Sequence, residues 1–264
     1  MRLISDDAEI HYEAMGDGPP VVLLHAFPAN HQLVVPVADM LAARYRVLLP
    51  DLRGHGESRA GQGPATMEKH ATDLARLCDA EHIGRAVFAG VSIGGYILFE
   101  FWRRYRERVA GLVFCNTKAS MDSDQARQDR LKSAEEVEQH GPVGFLDGMV
   151  PKLVGATTRA NRPDIAAAAR KLMSGSSVPG IAAVQRGMAA RPDSIPTLAT
   201  IKVPTLVIAG EEDNIPLEEV QKIHNGIAGS QMVVIPKAGH YAVFERPDEA
   251  GRAIRKFLDS MPPW

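Results

Sequence analysis

The feature that most constrains this chain is a serine flanked by glycines, in the run Gly90-Val91-Ser92-Ile93-Gly94. The residues before it, 86–91, are apolar throughout, as in a buried strand, and the residues after it are typical of a helix start. A strand, a sharp turn carrying serine and a helix are the context of a nucleophile elbow. The motif therefore predicts that Ser92 lies exposed at a strand-to-helix turn, where the helix N-terminus favours a developing oxyanion.

The rest of the chain alternates short apolar runs with helical segments. Continuous apolar runs indicate strands that are buried on both faces of a parallel sheet. Strands that alternate with helices form right-handed βαβ units and an open sheet with helices on both faces. The sequence thus predicts an α/β fold with a mostly parallel, doubly wound sheet. The predicted strands cover residues 10–15, 21–24, 46–49, 86–91, 112–115, 205–209 and 232–235.

One long stretch, residues 118–196, breaks this alternation. It has no convincing strand, its character is helical, and prolines divide it into short pieces. The sequence therefore predicts a helical cap at 118–196, inserted into a core formed by residues 1–117 and 197–264.

The charge balance of the chain excludes several function classes. Thirty Lys and Arg residues face 32 Asp and Glu, which predicts neither a nucleic-acid surface nor a polybasic membrane patch. No apolar run approaches the ~20 residues of a membrane span, and the first residues do not resemble a secretory signal. Cys78 and Cys115 both fall on apolar elements, so we expect buried free thiols and a cytoplasmic location. No cysteine or histidine cluster has zinc-site spacing, so neither a metal nor an organic cofactor is expected.

A serine nucleophile needs a base, and the base needs a third group that fixes its tautomer. In enzymes with this elbow the chain order is serine, acid, histidine. Asp213 and His240 follow two consecutive late strands, and the carboxyl ends of parallel strands meet at one edge of the sheet. We therefore predict that Asp213 and His240 complete a catalytic triad with Ser92. The neighbouring Glu211 and Glu212 are expected to be solvated.

An acyl-transfer site also needs donors for the oxyanion. The backbone N–H of Phe27, in the loop after an early buried strand, is predicted to form an oxyanion hole with the N–H of Ile93. Tyr96 is expected to pack in the core. Three other aromatic side chains are predicted to bind substrate: Phe27, Phe145 and Tyr241.

Over nearly its whole length, the chain resembles the α/β-hydrolase superfamily. The segment His25-Ala26-Phe27-Pro28 looks like the family's H-G-x-P loop, and residues 51–58, the elbow, 210–216 and 239–247 follow in the family's order. Ala26 stands where the family usually has glycine, which constrains this loop. Serine as the nucleophile argues against the dehalogenase and epoxide-hydrolase activities of relatives that use aspartate. The chain is most similar to small capped members of the enol-lactonase-like or esterase-like kind.

This resemblance implies a serine hydrolase that cleaves a small-molecule carboxylic ester, thioester or lactone through an acyl-enzyme. The same residues could serve a perhydrolase, a cofactor-free haloperoxidase or a carbon–carbon hydrolase. A non-catalytic ligand-binding protein with a hydrolase fold is an alternative of another class. The sequence distinguishes neither among these activities nor among oligomeric states.

Overall fold

A computed structural model describes residues 1–264 of the chain and contains one eight-stranded sheet. The strand order is β1-β2-β4-β3-β5-β6-β7-β8, with β3 to β8 parallel and with β1 and β2 antiparallel to their neighbours. The mostly parallel sheet predicted from the apolar runs is therefore confirmed. The strands are β1 (Arg2–Ser5), β2 (Ala8–Met15), β3 (Pro20–Leu24), β4 (Arg46–Pro50), β5 (Ala86–Val91), β6 (Val109–Cys115), β7 (Thr205–Gly210) and β8 (Gln231–Ile235).

Twelve α-helices connect and cover these strands. Met67 begins one of them directly after Thr66, whose side chain accepts a hydrogen bond from the Lys69 N–H as an N-cap. None of the helices is long and apolar enough to cross a membrane. The helices are α1 (Val35–Leu41), α2 (Met67–Ala80), α3 (Ile93–Tyr105), α4 (Asp124–His140), α5 (Val143–Leu153), α6 (Ala156–Asn161), α7 (Pro163–Met173), α8 (Val178–Ala189), α9 (Ile195–Leu198), α10 (Leu217–Gly226), α11 (Ala242–Glu245) and α12 (Pro247–Ser260).

The core lies on both faces of the central strands, where every residue of β5, β6 and β7 is buried. Phe99 of α3 stacks on Phe114 of β6 with ring centroids 4.5 Å apart, which fixes this helix against the sheet. The chain between β6 and β7 holds helices α4 to α9 and no strand. We call it the β6–β7 segment. Its Val137, Met173 and Val184 are fully buried in the same apolar cluster as the sheet.

The sheet brings four loops to one edge. The loops after β3, β5, β7 and β8 all leave from the carboxyl ends of parallel strands, and they carry Phe27, Ser92, Asp213 and His240. In open α/β sheets this edge is where ligands bind.

Candidate active site

Ser92 lies at the sharp turn between β5 and α3, with φ of 54° and ψ of −111°. A positive φ is unfavourable for a residue with a Cβ atom and costs about 1–3 kcal/mol. Two hydrogen bonds hold this conformation: the Ser92 N–H donates to the Cys115 carbonyl at 2.9 Å, and the Thr117 hydroxyl donates to the Ser92 carbonyl at 2.7 Å. The end of the neighbouring strand β6 and the residues that follow it thus support the turn.

Close backbone packing explains the glycines around the serine. A Cβ atom at Gly90 would lie 2.4 Å from the carbonyl carbon of Gly94, and one at Gly95 would lie 2.5 Å from the Thr117 side chain. A Cβ at Gly94 would come within 3.0 Å of Leu24. These three positions of the elbow therefore have no room for a side chain.

His240 and Asp213 meet behind the elbow. His240 Nδ1 and Asp213 Oδ1 are 2.8 Å apart, and both side chains are almost fully buried. Asn116 Nδ2 donates to Asp213 Oδ2 at 2.8 Å, and the Ile215 N–H donates to Oδ1 at 3.0 Å. Burial alone would raise the pKa of Asp213, but the charge and hydrogen bond of His240, helped by the other donors, hold that pKa below its usual value. Asp213 is thus a carboxylate that orients the imidazole and leaves Nε2 free.

A buried glutamate supports the loop that carries His240. The Glu245 carboxylate accepts the Gly239 N–H through Oε1 and the Gly155 N–H through Oε2, both at 2.9 Å. Burial raises the pKa of Glu245. Because Gly155 lies in the β6–β7 segment, this one side chain links that segment to the histidine loop.

The two glutamates beside Asp213 differ from each other. Glu211 is exposed and accepts the Lys237 N–H at 2.9 Å. Glu212 is half-buried and accepts both the N–H, at 2.8 Å, and the hydroxyl of Thr157. The expectation that both are solvated therefore fails for Glu212. Its partner is 55 residues away in the chain, so no local pattern indicates the contact.

A neutral histidine holds the loop after β3. His25 is fully buried; its Nδ1 donates to the Ala26 carbonyl at 3.0 Å and its Nε2 accepts the Leu52 N–H at 2.9 Å. Burial lowers the pKa of His25 to about 4, which keeps this acceptor unprotonated. The adjacent Phe27 N–H and the Ile93 N–H at the start of α3 donate to no backbone carbonyl. Both donors therefore remain available for an oxyanion.

A second buried carboxylate, Asp51, organises the loop after β4. It accepts the His31 N–H and His31 Nδ1 at 2.8 Å each and the Glu57 N–H at 2.9 Å. Although burial opposes it, the His31 hydrogen bond and the nearby His25 hold the pKa of Asp51 well below its usual value. The possible ligand atoms of His11, His31 and Asp51 lie within 4.8 Å of one another. The Asp51 oxygens already accept three N–H groups, so this cluster fits a hydrogen-bonded structural role better than a cation site.

A cleft of about 490 Å³ opens beside the elbow and is lined by Ser92 and His240. Apolar groups cover part of its wall, including Met149, Leu153 and Met188 of the β6–β7 segment. Charged groups cover another part, namely Lys118, Asp122, Arg130 and Glu219. Sequence patterns did not indicate these charged groups, because they come together only through the fold.

Of the three aromatic residues predicted to bind substrate, only one lines the cleft. Phe27 lines the cleft, and so does Tyr96, which the sequence assigned to the core. Phe145 packs against Phe27 at 6.1 Å between ring centroids and lies outside the cleft lining. Tyr241 is fully buried and its hydroxyl donates to the Phe27 carbonyl at 3.3 Å. Phe145 and Tyr241 therefore support the loop of Phe27 and do not face the cleft.

Comparisons with known proteins agree with this fold. A family model described as the alpha/beta hydrolase fold matches residues 19–247. The solved structure of a thermophilic esterase from Thermogutta terrifontis, with malate bound, is 39% identical, with a TM-score of 0.95 and coverage of 98% of this chain and 97% of that one. An enol-lactonase from Burkholderia xenovorans LB400 is 28% identical, with a TM-score of 0.92 and coverage of 98% and 100%. A 3-oxoadipate enol-lactonase from Acinetobacter baylyi is 26% identical over 97% of this chain and 95% of its own length.

Proposed function

The chain belongs to the α/β-hydrolase family and is a hydrolase, and we propose that it cleaves small carboxylic esters and lactones through an acyl-enzyme on Ser92. One observation carries this proposal: Ser92 and His240 line the same cleft, and His240 is oriented from behind by Asp213 at 2.8 Å. The similarity to proteins named as an esterase and as enol-lactonases supports esters and lactones as the substrate class.

In the proposed reaction the Ser92 hydroxyl attacks the carbonyl carbon, and His240 Nε2 takes the hydroxyl proton. Asp213 stabilises the resulting imidazolium, because its carboxylate is ionised and bonded to Nδ1. The N–H groups of Phe27 and Ile93 hold the oxyanion of the tetrahedral intermediate. His240 then returns the proton to the departing alcohol, which leaves the acyl group on Ser92. A water molecule, deprotonated by His240, attacks this acyl-enzyme, releases the carboxylic acid and restores the serine hydroxyl.

We further propose that residues 118–196 act as the cap over this site. Their contribution to the cleft includes Met149, Leu153 and Met188, which offer an apolar surface to the acyl or alcohol part of the substrate. A cytoplasmic location remains a prediction from the two cysteines, Cys78 and Cys115, which are buried free thiols.

A fluorophosphonate tests the proposed nucleophile, because it labels a serine activated by a base beside an oxyanion hole. We expect one label per chain, on Ser92, and none in Ser92→Ala. The matched control is Ser174→Ala, since Ser174 is exposed and does not line the cleft, and this variant should label like the parent.

Labelling should be much slower in His240→Ala, where the base is missing. Folded protein that stays unlabelled at Ser92 and hydrolyses no aryl ester would favour a non-catalytic binding protein instead. Acetate and hydrogen peroxide supplied together test the perhydrolase alternative: peracid formation faster than ester hydrolysis would reassign the reaction on the same serine.

A further inference from the structure

A single carboxylate in the wall of the cleft holds three cations. Asp122 Oδ2 lies 2.6 Å from Arg130 Nε and 2.6 Å from a terminal nitrogen of Arg191. Its Oδ1 lies 3.2 Å from Lys118 Nζ. The Asp122 side chain is almost fully buried, and although burial opposes them, Arg191 and Arg130 hold its pKa well below the usual value. Asp122 is therefore ionised, and the cluster carries a surplus of two positive charges.

The rest of the cleft wall does not cancel this surplus. Glu219 also lines the cleft, but it is already paired with Lys222 and accepts a hydrogen bond from the Ser120 hydroxyl. Asp213 is committed to His240. The unbalanced positive charge thus faces the same space as the nucleophile.

The three cations have different roles. Arg191 is buried, lies 4.2 Å from the centroid of the Tyr96 ring and donates to the Ser120 carbonyl at 2.9 Å. Its guanidinium group therefore makes its contacts within the protein and not with a ligand. Lys118 and Arg130 line the cleft and are each 23% exposed. Lys118 Nζ has three N–H donors and one partner. Arg130 uses Nε for Asp122 and one terminal nitrogen for Gln185 Oε1 at 3.2 Å, which leaves its other terminal nitrogen free.

We propose that Lys118 and Arg130 form an anion subsite, so that the preferred substrate is an ester or lactone that also carries a carboxylate. The inference rests on the proposed ester hydrolysis at Ser92 and adds its substrate class. A carboxylate is a good match, because two oxygens can accept the free donors of both side chains in charge-assisted bonds. Inside a partly closed cleft these bonds are worth more than in open water.

Two pairs of esters, each an acid and its neutral isostere, test the subsite. Phenyl hydrogen glutarate and phenyl 5-methylhexanoate place the carboxylate, or an isopropyl group, on the acyl side. The pair 4-acetoxybenzoate and 4-isopropylphenyl acetate places it on the alcohol side. The measured quantity is the ratio of kcat/KM for the anionic ester to that for its isostere. Because this ratio is compared between variants, the intrinsic reactivity of the two esters cancels.

The variants change the charge of the cleft in both directions. For at least one pair, Lys118→Gln and Arg130→Gln should each lower the ratio by about tenfold, the loss expected for one charge-assisted hydrogen bond. Glu219→Gln removes a negative charge from the lining of the cleft and should raise the ratio. Lys132→Gln is the matched control: it removes a lysine of α4 that is 74% exposed and outside the cleft lining, and the ratio should not change.

The result separates the subsite from the nucleophile. Hydrolysis of the neutral esters with ratios unchanged in all variants would overturn the anion subsite and leave the proposed function intact. If no ester is hydrolysed, the proposed function fails, and the subsite is then read from calorimetric titration of glutarate into Ser92→Ala. Glutarate binding that weakens about tenfold in Lys118→Gln but not in Lys132→Gln would support the subsite, and equal or absent binding would overturn it.

Discussion

Replacing Asp213 by asparagine keeps the shape of this side chain but removes its charge, and the structure indicates how much activity should be lost. The carboxylate accepts three N–H donors: His240 Nδ1 and the Ile215 N–H on Oδ1, and Asn116 Nδ2 on Oδ2. An amide has one oxygen and one NH₂ group. In either orientation, therefore, its NH₂ group faces at least one of these N–H donors, and that hydrogen bond is lost. Turning the Asn116 amide does not solve this conflict, since its Nδ2 also donates to the Gly239 carbonyl at 3.2 Å.

The larger part of the effect is electrostatic. His240 Nδ1 and Asp213 Oδ1 are 2.8 Å apart, so the centres of the imidazolium and carboxylate charges lie about 4 Å from each other. At an effective dielectric constant of about 20 their attraction is about 4 kcal/mol. In the proposed reaction the imidazolium forms only along the reaction path, so this attraction favours the transition state and its loss should lower kcat about 10³-fold. An amide nitrogen facing Nδ1 would also favour the wrong tautomer, which brings the loss towards about 10⁴-fold.

Steady-state hydrolysis of an aryl acetate measures this loss, and thermal unfolding verifies that the variant is folded. The matched control is Glu211→Gln, which neutralises an exposed neighbour whose only side-chain bond is to the Lys237 N–H. It should change kcat by less than about threefold, as expected of an exposed charge. A folded Asp213→Asn variant that keeps kcat within about tenfold of the parent would refute the electrostatic argument.

Three further predictions concern the supports of the site. Glu245→Gln leaves one of two buried backbone donors without an acceptor. It should therefore lower the free energy of unfolding, measured by urea titration, by about 2 kcal/mol and also reduce kcat. Unchanged stability would contradict the role of Glu245. The pKa of Asp51 is lowered in the fold, so its stabilising contribution is complete above the ordinary carboxyl pKa of about 4 and is lost as pH falls further. Asp51→Asn should therefore cost about 3 kcal/mol near pH 7, with a gap to the parent that narrows in acid; a constant gap across this range would argue against an ionised Asp51. Gly90→Ala should prevent the expression of folded protein, because its Cβ would meet the Gly94 backbone. Gly144→Ala, which adds a Cβ in open space on α5, should raise the free energy of unfolding by up to about 1 kcal/mol. Comparable soluble yields of the two variants would show that the elbow tolerates a Cβ.

The central strands and the elbow were predictable because their signals are local. Strand β5, residues 86–91, is a continuous apolar run with the same bounds in sequence and structure. Strand β1 escaped the sequence analysis, since Arg2–Ser5 has only two apolar residues and lies at the exposed edge of the sheet, paired with β2 alone. Its place depends on a partner strand and not on its own composition.

The candidate site also has parts that the sequence predicted and parts that it did not. The chain order of strand ends predicted that Asp213 and His240 lie near Ser92, and the fold brings them together. The cluster around Asp122 could not be predicted, because Arg191 is 69 positions further along the chain and reaches it only through the packing of α4 against α8. Tyr96 was expected to pack in the core, and its contact with Arg191, 95 positions further along the chain, has no local signal in the sequence.

The junction of α5 and α6, residues 153–157, is tied to both loops of the site. The Gly155 N–H donates to Glu245, the Thr157 N–H donates to Glu212, and the Leu153 carbonyl accepts the Tyr241 N–H at 3.0 Å. Chimeras that exchange helices of the β6–β7 segment between relatives should therefore keep residues 153–157 from the same parent as the loops after β7 and β8. A single crossover within α4 keeps residues 153–157 and both loops in one parent, whereas a single crossover within α7 or α8 separates them. A pair of crossovers, one in α7 and one in α8, exchanges only the chain between them, so the lining of the cleft can be varied while the contacts around Asp213 and His240 are kept.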